Sequence, residues 1–529
     1  MSSLRRVEAR APRTALAAVA LLAASACLTI VTHVKSRDLP RAPQRVTSPV
    51  RAHLVDGSIA LFRSGVTVTA TQVIGAGVLV SPTMAESTTV EGVSLGSVLG
   101  LETFETQTDA ASSIGLTVLA TVATVGAAVA LTCIGNPKCF GSCPTAYSDS
   151  AGTLVLEAEG FSYSIARLFE DRDVDRLRAT ADRNGRVQLE IRNEALETHY
   201  INQVALLDVH HARDEVIAPD VAGNPVALRA LSTPVRAFDR AGRDVRALLA
   251  AHDGAIFSTH PDRVMAATDS DATDWIELEV PAPPADSAAL YLRLRNSLLN
   301  TVLLYDVMLG DRGAGALDYV ARDLNRIGPA VNLGRWYAEH MGLRFAVHDG
   351  TTWQPVGRLA DTGPVAWKDI VVVVPVPRGQ PTLRIRMTFV ADNWRIEQAA
   401  VARTWRRPAT RQLPLARVVD AAGHADAAAL TNMRDADTSY LQTQAGQRFL
   451  AQFEAGAAPM GADSTRTFLI AWQGYYTEWI RQGWLAQAPS ATPATDSTGV
   501  PILGELMRRW RSSGTDLERQ FFSTRVPVR

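Results

Sequence analysis

Lysine is nearly absent from this 529-residue chain: Lys35, Lys138 and Lys368 stand alone among 53 basic residues, so the positive charge is almost entirely arginine. Alanine is abundant, and we read the two biases together as GC-rich coding, not as chemistry. Excess charge of either sign is also missing. The 53 basic residues face 54 acidic ones for a net charge of −1, which leaves no global basic surface to hold nucleic acid by counterion release. Charged residues make up only 20% of the chain and hydrophobic ones 47%. That balance fits a folded globular protein and excludes both wholesale disorder and a polytopic membrane protein. Motifs for cofactor chemistry are missing too: there is no H-E-x-x-H, no P-loop and no dinucleotide-binding glycine fingerprint, and no metal or cofactor is expected.

What is present begins at the N-terminus. Arg5, Arg6, Arg10 and Arg13 precede an uncharged apolar run from Ala15 to about Val31, the layout of an export signal. Ala24-Ser25-Ala26-Cys27, inside that run, resembles a bacterial lipobox, with Ala24 where the family usually has Leu. The resemblance implies cleavage before Cys27 and lipidation of Cys27, and hence a membrane-anchored, extracytoplasmic protein of the bacterial cell envelope. An uncleaved signal-anchor helix and an ordinary cleaved signal are the alternatives, and each exports the rest of the chain. Residues 28–49 then read as a tether: Ser36 to Pro49 holds three prolines and no apolar periodicity.

Residues 50–107 predict a small β unit of short apolar runs broken by glycine, with Asp56-Gly57 as a hairpin turn. Gly92-Val93-Ser94-Leu95-Gly96 has the form G-x-S-x-G, but its flanks are neither a buried strand nor a helix start, so we read Ser94 as a turn residue. Residues 108–135 predict a hydrophobic helix whose core, 112–134, has the length to span a bilayer but is diluted by threonine and glycine. Insertion in a membrane and packing against protein both stay open. The four cysteines are Cys27, Cys133, Cys139 and Cys143. Export makes a Cys139–Cys143 disulfide chemically reasonable, free thiols are the alternative, and the spacing matches no common zinc pattern.

From Cys143 onward the chain reads β. The stretches from Phe140 to Glu170 and from Val187 to Val209, opening on Cys143-Pro144-Thr145, resemble an uncharacterised class of exported bacterial lipoproteins with a β-rich body and no known activity. Val187, Leu189 and Ile191 alternate with Gln188, Glu190 and Arg192, the period-two pattern of a half-buried strand. The segments from Trp275 and from Lys368 share a pattern: an apolar strand, a Pro-x-Pro (Pro281 and Pro283; Pro375 and Pro377), a loop, and an alternating second strand. Their offset, about ninety residues, is one sandwich module. In the second copy Leu383, Ile385, Met387 and Phe389 should face the core and Arg384, Arg386 and Thr388 the other side. The second copy loosely resembles galactose-binding-like jelly rolls.

The expected fold is thus mainly β and multi-domain: two β-sandwich modules (139–313 and 314–410), the small N-terminal β unit, one hydrophobic helix, a C-terminal β module (411–486), and a linker with an amphipathic helix (487–529). The module around Gly474-Tyr475-Tyr476 resembles one found on some exported repeat-containing bacterial proteins. The final helix carries Leu503, Leu506, Met507 and Trp510 on one face, which must bind something, most simply the body of the protein.

All ten tryptophans lie at or beyond Trp275. Trp336, Trp353, Trp367, Tyr475, Tyr476 and Trp479 are candidates for ligand-facing aromatics such as stack on sugars, with core filling as the plainer reading. The histidines (His199, His210, His211) and acidic pairs (Glu157 with Glu159, Asp435 with Asp437) show no catalytic spacing, and both pairs are expected on solvated faces. The sequence therefore points to a non-catalytic envelope lipoprotein that binds or scaffolds a protein or glycan partner. A glycan- or ester-processing hydrolase and a membrane-assembly subunit held by 112–134 are the alternatives.

Overall fold

The computed structural model of the chain describes residues 30–37, 43–54, 58–80, 87–108, 143–316 except 151 and 196, 319, 323–443, 446–478 except 458–460 and 462, 490, 494–495 and 499–523. Cys27, Cys139, Trp479 and the 112–134 run lie outside these residues. The protein is mainly β: 50% of the described residues are in strands and 19% are helical. No helix among the described residues is long and apolar enough to cross a membrane.

An eight-stranded antiparallel sheet, nearly closed like a barrel, occupies residues 30–108. Val50–Leu54 and Ile59–Phe62 pair antiparallel on either side of Asp56-Gly57, and alternate side chains such as Val50, Ala52, Ala60 and Phe62 fill its core. Ile30–Arg37 and Gln44–Val46, which we expected to be tether, are strands of this sheet. Partner strands supply the hydrogen bonds that their own sequence does not advertise.

Four five-stranded sheets make up the rest of the β structure, and they pack as two pairs. The outer pair uses both flanks of the chain. One of its sheets runs Thr153–Glu159, Thr145–Ser150, Arg186–Arg192, Arg448–Glu454, Arg417–Asp420. The other runs Asp171–Arg176, Ser464–Glu478, Glu197–Ala212, Thr410–Pro414, with Leu441–Thr443 beside Glu197–Ala212. Val187, Leu189 and Ile191 from the first meet Phe468, Ile470 and Trp472 from the second in one core.

The inner pair is inserted between those flanks. Its sheets run Glu215–Pro219, Pro225–Ser232, Trp394–Arg406, Ser287–Asn296, Lys368–Pro375, and Arg236–Asp239, Thr273–Pro281, Thr382–Val390, Leu343–His348, Trp353–Leu359. Leu383, Ile385, Met387 and Phe389 are fully buried in its core, as their alternation requires, while Arg384, Arg386 and Thr388 are partly exposed on the other face.

The expected boundaries at 139–313, 314–410 and 411–486 do not follow this pairing. The two proline-containing segments are not two modules. Thr273–Pro281 pairs with Thr382–Val390, and Ser287–Asn296 pairs with Lys368–Pro375. Each segment crosses from one sheet to the other after its proline, so the duplication builds the two halves of a single sheet pair. Pro281 and Pro375 end their strands, where a missing N–H costs no ladder bond.

Helices fill the gap between the inner strands and the C-terminus. Leu299–Val302 runs on into a π-helical turn at Leu303–Leu309, and Ile327–His340 follows. Leu503–Ser523 docks against them through Leu503, Leu506, Met507 and Trp510, the face singled out from the sequence. Trp510 also donates its indole N–H to Asp392 (2.8 Å), and Arg509 pairs with Asp311 (2.7 Å).

Candidate functional site

Where the outer pair, the helical layer and the inner pair meet, the structure forms a partly open cavity of about 220 Å³. Each region contributes a wall. Cys143, Glu159, Ser162 and Tyr476 come from the outer pair, Asn300, Tyr305, Gly334 and Tyr337 from the helices, and Asn296, at a strand end, with Asp361 and Gly363 of a loop, from the inner pair. The walls approach so closely at Gly363 (φ +88°) that a Cβ there would lie 2.3 Å from the Ser162 Oγ and 2.6 Å from the Glu159 carboxyl carbon. Only glycine tolerates both that conformation and that approach.

Three buried acids face the cavity, and each is held by donors. Glu159 Oε2 accepts the backbone N–H groups of Val365 (2.7 Å) and Ala366 (3.1 Å). Asp361 Oδ1 accepts the amides of Asn296 (3.0 Å) and Asn393 (3.1 Å). Burial raises the Asp361 pKa, while Asn300, Asn393 and Asn296 pull it back down. Glu197 Oε1 accepts the Tyr305 hydroxyl at 3.0 Å, and its Oε2 lies 3.1 Å from the His199 ring. Burial drives His199 down to about 3, so the ring is neutral and donates Nε2–H to the carboxylate. Tyr305 also hydrogen-bonds Glu478, the cross-strand partner of Glu197. Behind Glu478, Arg51 of the N-terminal sheet donates to the Glu478 carbonyl (3.2 Å) and pairs with Glu102. The cavity floor is thereby tied to all parts of the fold.

The nucleophile candidates here are kept protonated. Burial, with Glu159 and Glu197 adding to it, pushes the Cys143 thiol well above its ordinary value. Burial likewise raises Tyr163, Tyr337 and Tyr476. A thiol in that state is a poor nucleophile.

Of the described aromatics singled out from the sequence, Tyr476 lines the cavity, as does Tyr337 beside Trp336 in the chain. Trp336 is buried in the helical core, stacked on His340 with ring centres 5.2 Å apart. Tyr475 is buried and stacks on Tyr200 at 4.5 Å. Trp353 and Trp367 are half-buried on the inner pair, Trp353 beneath the Arg386 guanidinium (4.0 Å) and Trp367 beneath Arg295 (5.1 Å). Cys143 is a buried free cysteine, and its expected partner Cys139 lies outside the described residues.

Glu157 and Glu159 are not solvated as expected. Both are buried, because residues 160–178 and the inner-pair loop cover their face. Asp435 and Asp437 are exposed. His199 stands apart from Asp208 and His210, which pair at 3.5 Å toward the other end of the same strand. Ser94 ends a strand and is exposed beside a single 3₁₀ turn. Among the described residues no group of three or more His, Cys, Asp or Glu side chains is placed to hold a metal ion. Tyr163, Phe169 and Tyr305 line the cavity unannounced by the sequence, since nothing local marks a residue that faces a loop far along the chain.

No family model and no curated protein matches this chain. Among solved structures it is similar to a GH31 alpha-xylosidase from Xanthomonas citri, at 10% identity and a TM-score of 0.15, over 82% of this chain and 38% of that one. The chain thus spans little more than a third of the xylosidase. It is also similar to a structure of infectious bursal disease virus, Gt strain, at 10% identity and a TM-score of 0.15, over 73% of this chain and 88% of that one. Scores of that size carry no argument about fold or function, so the functional reading rests on the site itself.

Proposed function

We propose that this protein is an envelope-anchored, non-catalytic lipoprotein whose two nested β-sandwiches present a binding site. The observation that carries the reading is the cavity at their junction: walls that are mostly apolar, with a few oriented polar groups hydrogen-bonded to the protein. That is the usual make-up of a small-molecule site, and a nucleophile paired with a free base, which covalent catalysis needs, is not assembled in its walls among the described residues. Lipidation of Cys27 would hold the body at a membrane facing the extracytoplasmic space. A protein or glycan partner would then meet it through the surrounding loops.

The convergence of Glu159, Glu197 and Asp361 on one cavity favours a second reading, a glycan- or ester-processing hydrolase. One experiment separates the two. The purified body is incubated with p-nitrophenyl acetate and p-nitrophenyl glycosides, as wild type and as Glu197→Gln. The binding reading expects the same background rate from both. Turnover that Glu197→Gln abolishes in a folded protein would establish the hydrolase. Fatty-acid labelling of cells expressing wild type or Cys27→Ser tests the anchor, with label expected only in the wild type.

A further inference from the structure

The charges in the cavity walls are already engaged by the protein. Glu159 is held by the backbone N–H groups of Val365 and Ala366, Asp361 by the side-chain amides of Asn296 and Asn393, and Glu197 by Tyr305 and His199. Arg358, exposed at the rim, acts electrostatically on Asp361. A charged ligand would have to leave water for a site whose ionic groups are occupied with one another, and burying an ion without a partner is costly. An uncharged ligand meets no such cost, and Ile165, Phe169, Leu304 and Leu333 offer it an apolar wall.

A second observation, independent of the acids, supplies a polar contact. Four tyrosines line the cavity, and three of them spend their hydroxyls on the protein: Tyr305 donates to Glu197 (3.0 Å), Tyr476 to the Ser162 carbonyl (3.2 Å), and Tyr163 to Asp171. The Tyr337 hydroxyl has no hydrogen-bond partner among the described residues. Its electrostatic neighbours include Asp361 and Tyr476, both of which line the cavity, and the side chain is half-buried, so the hydroxyl stands where a molecule in the cavity can reach it. Burial keeps it protonated, which leaves an O–H ready to donate to an oxygen of a ligand.

Size sets the remaining chemistry. About 220 Å³ exceeds the ~150 Å³ of an engineered apolar cavity that takes up benzene, so one substituted ring fits. We infer that the cavity binds an uncharged ring compound bearing one oxygen acceptor, with its ring against Phe169, Leu304 and Leu333 and its oxygen accepting the Tyr337 O–H.

This inference rests on the binding reading and is tested separately from it. Titration calorimetry at about pH 7, where carboxylates and alkylamines are charged, compares acetophenone with isopropylbenzene, which has its shape without the oxygen, and with the ions benzoate and benzylammonium. Acetophenone and isopropylbenzene should bind, and both ions should bind about a hundredfold more weakly than acetophenone, or not at all, as the burial of an unpaired charge requires. Tyr337→Phe should weaken acetophenone about fivefold, the worth of one hydrogen bond, and leave isopropylbenzene unchanged. Gly334→Phe should abolish binding of both by filling the cavity, because among the described residues a Cβ at Gly334 meets only the Phe169 ring, at 3.8 Å. Leu304→Phe serves if that variant does not fold. If either ion binds as tightly as acetophenone, or if Tyr337→Phe leaves the affinity for acetophenone as it was, the inference is overturned and the binding reading stands. If none of the four probes binds, both are overturned.

Discussion

The outer and inner sheet pairs contain the same number of strands and differ in how the chain closes them. The inner pair is made within one stretch, residues 215–406. The outer pair needs both ends of the body: Glu197–Ala212 lies against Ser464–Glu478 in a register running from Glu197↔Glu478 to Ala212↔Ser464. Bringing such distant strands together costs loop-closure entropy, which the insertion lowers if the inner pair forms first and brings its own ends close. The two pairs are alike in what they bury. Both sandwich cores are aliphatic and aromatic, and both pairs also bury ionisable groups: Glu157, Glu159, Asp173, Asp175, Glu194, Glu197 and Glu478 on the outer strands and loops, and Glu215, Asp239, Asp274, Glu277, Asp361, Lys368, Asp369 and Glu397 on the inner ones. The cavity and the inter-pair seam draw on both, with Asp361 facing Glu159 and Glu197 across the cavity and Lys368 set between Asp173 and Asp175 in the seam.

The sharpest way to test that difference in closure is to remove one tryptophan from each core. Trp394 (0% exposed) sits in the inner core and Trp472 (1% exposed) in the outer. Each change to alanine should cost about 3–5 kcal/mol in urea unfolding. Circular dichroism should show that Trp394→Ala weakens the whole body, because the outer strands cannot pair without the insert. A Trp394→Ala protein that keeps its outer pair and loses only the inner one would break the comparison.

The seam between the pairs is the next target. Lys368 of the inner pair pairs with Asp175 at 3.0 Å and also with Asp173, all three buried. Lys368→Met leaves two buried carboxyls without their cation. The expected loss is about 3 kcal/mol, the low end for breaking a buried pair, because one of the carboxyls can take up a proton. Stability unchanged by Lys368→Met would show that the seam is held by apolar contacts alone, such as Val174, Leu207 and Ile217.

The same trio makes a smaller, pH-dependent prediction. Two carboxyls share one ammonium, and burial, opposed by Lys368 and helped by Asp173, raises the Asp175 pKa to about 7. A folded-state pKa above the unfolded value means that the native protein holds the proton more tightly. This contribution is complete below the unfolded carboxyl value near 4, declines as the pH rises, and is gone once the folded value is passed. Urea unfolding at several pH values between about 4 and 8 should therefore show a decline with rising pH that Asp175→Asn flattens. An equally steep decline in the variant would place the titration elsewhere.

These residues also show how far the sequence can be read. Leu383 to Phe389 and the face of the last helix are legible because each pattern is local and one side is buried. The strand ends at Pro281 and Pro375 are legible because proline forbids a ladder bond there. Pairing is not: alternation says which face a residue takes and not which strand lies beside it, so one sheet pair reads as two modules. Leu299 to Leu309 does not read as a helix because it is apolar on nearly all sides, with no polar stripe to set its period. Of the cavity residues, Cys143 and Tyr476 stand out in the sequence. Glu159 reads as solvated because nothing in strand 153–159 reveals the loop at 361–366 that covers it.

The smallest expected effect concerns the cavity wall. Gly334 lies inside the helix Ile327–His340, where glycine costs about 0.5–1 kcal/mol relative to alanine. The position has room among the described residues, where its Cβ would meet only Phe169 Cε1, at an ordinary contact distance of 3.8 Å. Gly334→Ala should therefore raise unfolding stability in urea by about 0.5–1 kcal/mol. A gain of that size would mark this glycine as one kept for the open space it leaves in the cavity wall, the usual trade between stability and function at a binding site. A loss of stability would mean that the helical wall is already close-packed against Phe169, and that the space for a ligand lies on the other side of the cavity, against the outer pair.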